Sequence, residues 1–281
     1  MTEFRFCVDR DLNLFCHTIC LFPESYRSEG SAFNNAKYRE KHSNLRQPAL
    51  ADLFSNLLQL GWADWDFVGL SLIDGRGAGG SSENRIRHGL GRLSNIWSAI
   101  LEESWKSYGE MWPAVEASLT KYKSQFEDVW KANGEDVLLR IKRISEAEWD
   151  PKHIDVHLVD CLYGGASYID KILIAPVSDF EIERKLLSHE LSETAFAVNG
   201  LQSKLRTRGI SPEVFHTIVD TTAYISVKPW LKSEYAERLK PKPPYYAETE
   251  AVYSAFEKCG ASSEAYLGLE EFLTVLAKEP G

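Results

Sequence analysis

The stretch HIDVHLVDCLYGGASYIDKILIAPVSDFEIERKLLSHELSETAFAVNG, residues 153–200, decides the fold. Its opening alternates strictly. Ile154, Val156 and Leu158 face one way, and His153, Asp155, His157 and Val159 the other, as in a strand with one apolar and one polar face. Gly164-Gly165 reads as a turn, and YIDKILIAP, from Tyr168, as a second strand pairing antiparallel across it. A helix follows. Ser178 with Glu181 three residues on makes a capping box, because the serine side chain can accept a backbone N–H that the first turn leaves orphaned. Leu186, Leu187, Leu191, Ala195 and Val198 supply its buried stripe, and Asn199-Gly200 stops it.

Toward the C-terminus, Ser211-Pro212 opens a second helix that turns Val214, Phe215, Ile218, Val219 and Ile225 inward and must close before Pro229. PKPPYY, residues 241–246, reads as an extended linker, with helical segments from about Ala247 and Glu264 onward. Toward the N-terminus, Trp97, Leu101, Trp105 and Tyr108 recur at helical spacing, and Trp112, Phe126 and Trp130 continue the pattern to about Ala132; such aromatics are core. Leu50 to Leu60 has the spacing of an amphipathic helix, and DGRGAGGSS, residues 74–82, is a connector lacking the Lys-Ser/Thr ending of a phosphate loop. FRFCV and LFCHTICLF, in the first 22 residues, are short strands or a first helix. The expected fold is α+β, mainly helical, with a small sheet packed beside the 178–200 helix. Residues 1–145 make a helical N-terminal region, and residues 146–281 a domain carrying the sheet, the two helices and the C-terminal helices.

A net charge of −9 without a basic stripe argues against a nucleic-acid partner, since backbone binding needs clustered Lys and Arg. No run of 18 apolar residues occurs and the N-terminus has no apolar signal core, so neither membrane nor export is expected. Five cysteines without a CxxC pair suggest neither a disulfide framework nor a cysteine zinc site. Cys16 and Cys20 read as buried small apolar residues, and a reducing cytoplasm fits the usage.

The chemistry concentrates in LLSHELSE, residues 186–193. Residues four apart on a helix share a face, so His189 and Glu193 can bind one cation from the same side. Glu190 is offset by about 100° and is placed to reach a bound water instead. FHTIVD, residues 215–220, adds His216 as a third ligand, with Asp220 a turn on to accept the free N–H of a ligating imidazole. Three protein ligands plus water is the open arrangement of catalytic zinc. His153 and His157 lie about 13 Å apart on the strand rise, too far for one ion.

Strand, turn, strand and LLSHELSE together resemble the zincin metallopeptidases, whose active helix carries HExxH. The nearer likeness is the gluzincin branch, in which a later helix supplies a glutamate ligand with an aspartate four residues beyond. The resemblance covers about 150–228. His189 matches the first ligand, Glu190 the general base and Asp220 the aspartate. Glu193 stands where the family has histidine, and His216 where it has glutamate, so the motif is HExxE and the set remains two His and one Glu. The resemblance implies a Zn2+-dependent hydrolase cleaving peptide or protein substrates by metal-activated water, with strand 153–159 as the edge that aligns the substrate. Tyr224, His157 and Tyr168 are candidates for stabilising the transition state or lining the cleft. Two alternatives stay open: a catalytically inactive zincin-fold protein that binds a protein partner, and metal-assisted hydrolysis of something other than a peptide.

Overall fold

The computed structural model describes residues 2–21, 35–45, 48–52, 92–168, 170–177, 179–242, 248–263 and 265–278. The Gly/Ser segment 74–82, most of 50–60, Ser178 and most of PKPPYY lie outside them. The fold is α+β and mainly helical, with one small mixed sheet. In chain order the elements are β1 (Glu3–Val8), α1 (Arg10–Leu21), α2 (Ala36–Lys41), α3 (Arg92–Lys131), α4 (Gly134–Ser145), β2 (His153–Leu158), β3 (Gly165–Tyr168) and β4 (Lys171–Ile174). There follow α5 (Phe180–Asn199), α6 (Leu201–Thr207), α7 (Val214–Val227), α8 (Ser233–Arg238), α9 (Thr249–Lys258) and α10 (Leu269–Leu276).

The four strands run in the order β1-β2-β4-β3. β3 and β4 form an antiparallel hairpin, from Gly165 opposite Ile174 to Tyr168 opposite Lys171. This corrects two expectations. Gly165 is not a turn residue but the first residue of a strand, and the hairpin closes between Tyr168 and Lys171, inside what read as one continuous strand. β2 is not an edge: it lies between β1 and β4, and Asp155 N–H donates to the Asp170 carbonyl. A strand paired on both sides has no backbone groups left for an extended peptide, so 153–159 cannot align a substrate that way. The edges are β1 and β3.

Two compact units divide the chain: Met1–Phe6, Ser124–Val156 and Gly165–Gly281 make one, and Cys7–Lys123 with His157–Gly164 the other. In the first, α5 packs most closely against α7 and also against α4, β3 and β4. α7 is buried along its whole length except at His216. Phe196, Leu201, Leu205, Phe215, Ile218 and Val219 join a core that extends to α9 and α10, where Phe256 and Phe272 stack with centroids 4.1 Å apart. In the second unit α1 is buried almost throughout, Cys16 and Cys20 included, and Asn13 donates to the Leu158 carbonyl at 3.0 Å.

The ends of α5 have local causes. Asp179, one residue after the expected serine, is the N-cap: its Oδ1 accepts from Glu181 N–H at 3.1 Å, and Tyr235 O–H donates to its Oδ2 at 2.6 Å. At the other end Gly200 takes the left-handed conformation, φ 73°, that closes a helix at low steric cost for glycine. α7 starts at Val214 rather than Ser211, although Glu213 N–H still donates to the Ser211 hydroxyl. It ends at Val227, ahead of Pro229.

Candidate metal centre

α5 and α7 bring the spaced residues together. One ligand atom each from His189, Glu193 and His216 lies within 4.8 Å of the other two. The imidazoles of His189 and His216 are parallel to within 1°, with centroids 6.4 Å apart. A tetrahedral zinc with bonds of about 2.0 Å spaces its ligand atoms at about 3.3 Å. Side-chain shifts of about 1.5 Å therefore close the three onto one ion. Two imidazoles and a carboxylate are a donor set suited to zinc.

The trio lies where solvent reaches α7. His216 is its one exposed residue, while His189 and Glu193 are half-buried. Behind His189 the site is closed. Asp220, 2% exposed, takes His189 Nδ1 on its Oδ1 at 3.1 Å, and Lys185 Nζ donates to the same oxygen at 2.5 Å. Burial works to raise the Asp220 pKa, but the bonds and charges of His189 and Lys185 outweigh it and hold the carboxyl below its ordinary range. At His189 burial works against the charged form. The hydrogen bond to Asp220 and the charges of Glu190 and Asp220 prevail, and its pKa lies above the usual value.

Glu190 is 3% exposed, and its side chain rests on the backbone of Gly165 in β3. A Cβ at position 165 would fall 2.7 Å from Glu190 Oε1. Oε2 is buried without a hydrogen-bond partner, and burial, the main cause, pushes the Glu190 pKa up to about 8.

The remaining candidates are placed elsewhere. The Tyr224 hydroxyl donates to the Ala236 carbonyl at 2.8 Å, its ring buried in the α9–α10 core. His157, on a strand face that read as solvated or cleft-lining, is 5% exposed and belongs to the second unit. Tyr168 ends the edge strand β3, opposite Lys171. Lys185 has no role in the sequence reading, and Gly165 appears there only as half of a turn. The signal for Lys185 was present, since 185, 189 and 193 recur every four residues on one helix face.

No protein-family model, curated protein or solved structure matches this chain. No helix among the described residues is long and apolar enough to cross a membrane.

Proposed function

We propose that this chain is a zinc-dependent hydrolase of gluzincin-like design acting on peptide bonds, with His189, Glu193 and His216 as the ligands. The observation that carries this reading is the convergence of those three side chains at the only exposed position of α7, backed by Asp220. An ion held there supplies Lewis acidity and water activation at neutral pH. The residues supply the rest. Asp220 orients the His189 ring through Nδ1, and Glu190, next in sequence to a ligand and with its pKa pushed up to about 8 by burial, takes a proton from the attacking water once it is ionised and returns it to the leaving amine. β3, an edge strand packed against α5, offers backbone groups to an extended substrate in place of β2.

The test separates binding from turnover. Zinc-loaded protein should cleave members of a peptide library, and Glu190→Gln should abolish cleavage while retaining close to one equivalent of zinc. A Glu190→Gln variant that keeps wild-type turnover refutes the role given to Glu190.

One observation favours a second reading, a zincin-like protein that binds a partner without catalysis: the Glu190 carboxyl is buried against Gly165 rather than open to solvent. Zinc uptake with no turnover of any peptide, or no uptake at all, selects this reading.

A further inference from the structure

The face of α5 that carries His189 and Glu193 carries Lys185 one turn earlier, opposite His216 and Asp220 of α7. Lys185 is only 16% exposed in its side chain, and its ammonium meets the Asp220 carboxylate. The two donors to Asp220 share a single oxygen. Oδ1 takes Lys185 Nζ at 2.5 Å and His189 Nδ1 at 3.1 Å, while Oδ2 is buried with no hydrogen-bond partner. The orientation of this buried carboxylate therefore rests on Oδ1 alone.

We propose that Lys185 is a positioning residue for the metal centre: it anchors the Asp220 carboxylate, so that Asp220 fixes the ring and tautomer of His189 and turns Nε2 toward the ion. The inference rests on the metal-binding reading above. A carboxylate already accepting from an ammonium acts only as an acceptor toward its other neighbour. His189 Nδ1 must then carry the hydrogen, which in the neutral ring leaves the lone pair on Nε2, the atom a cation needs. Without Lys185, a buried carboxylate loses its charge partner and is driven to rearrange, since an unpaired charge in the interior is strongly unfavourable. The imidazole then loses its fixed acceptor. The effect of Lys185 passes through Asp220, to which its ammonium is bonded.

The experiment compares wild type, Lys185→Met and Lys185→Arg, using Co2+ as the probe. Affinity and the visible d–d spectrum are read by titration, and the His189 tautomer in metal-free protein by long-range nitrogen–proton NMR. At a pH high enough to leave the ring neutral, wild type should show the Nδ1–H tautomer. Lys185→Met should lose that single tautomer, bind Co2+ about tenfold to a hundredfold more weakly and alter the spectrum. Lys185→Arg, which keeps a cationic donor, should recover most of the affinity. If Lys185→Met does not fold, Lys185→Gln, shorter and uncharged, carries the same comparison. A folded Lys185 variant with wild-type affinity, spectrum and tautomer overturns this inference alone. A wild type that binds no Co2+ overturns it together with the metal-binding reading.

Discussion

Gly165→Ala tests the contact between sheet and helix that places Glu190. The added methyl would lie 2.7 Å from Oε1, 2.8 Å from Cδ and 2.9 Å from Cγ of Glu190. Favourable carbon contacts begin at about 3.5 Å, so three atoms must give way by roughly 0.6 Å or more. Glu190 is buried and cannot swing freely into solvent. Overpacking of this kind costs about 1–3 kcal/mol, which for a chain of this size lowers Tm by roughly 2–4 °C per kcal/mol. Urea denaturation of wild type, Gly165→Ala, Glu190→Ala and the double variant closes a thermodynamic cycle. Truncating Glu190 removes the atoms the methyl would strike. Gly165→Ala should therefore cost less than about 0.5 kcal/mol in the Glu190→Ala background. Equal cost in both backgrounds, or none in the wild type, would refute the argument that Glu190 lies on Gly165.

Two further outcomes follow from features away from the candidate site. His17 is buried beside Tyr38, His42 and Tyr108, and burial, with a smaller effect from His42, lowers its pKa to about 3. The folded pKa lies below the unfolded value of about 6.5, so the unfolded chain binds the extra proton between those limits. Stability is complete above about pH 6.5 and falls with decreasing pH toward 3, by about 2 kcal/mol at pH 5; urea midpoints at pH 7 and 5 should show this, and His17→Gln should flatten the dependence. Asp179→Ala removes the acceptor of Glu181 N–H and of the Tyr235 hydroxyl. It should cost about 1 kcal/mol by the same assay, and a neutral result would deny Asp179 its capping role.

What was legible in the sequence is what is local. The glycine stop, the four-residue spacing of His189 and Glu193 and the burial of Leu187, Leu191 and Ala195 all lie within one helix, whose period is set by its own backbone, whereas Val198, read as part of the same buried stripe, is 45% exposed near the helix end. The Asp-Phe-Glu start of α5 came within one residue of the serine expected to cap it, and asparagine, aspartate and serine serve that role about equally well. The sheet was read less well. β3 is four residues, Gly165–Tyr168, without an apolar alternation to betray it, and a Gly-Gly pair at its start signals a turn more strongly than a strand. β2 shows its own alternation, but its interior position comes from β1, some 150 residues earlier, which no local pattern encodes. The burial of His157 on the polar face has the same distant origin in tertiary packing. Lys185 is one turn from His189, yet its meaning depends on Asp220, 35 residues along and on another helix.

The central claim is that side chains from two helices share one ion, and isothermal titration of zinc into wild type and His216→Ala tests it most directly. His216 is exposed, so its loss should leave the fold intact while removing the ligand that α7 contributes. Wild type should bind one equivalent, and His216→Ala should bind at least tenfold more weakly (about 1.4 kcal/mol). A variant that binds as tightly as wild type, or a wild type that takes up no zinc, would contradict the account.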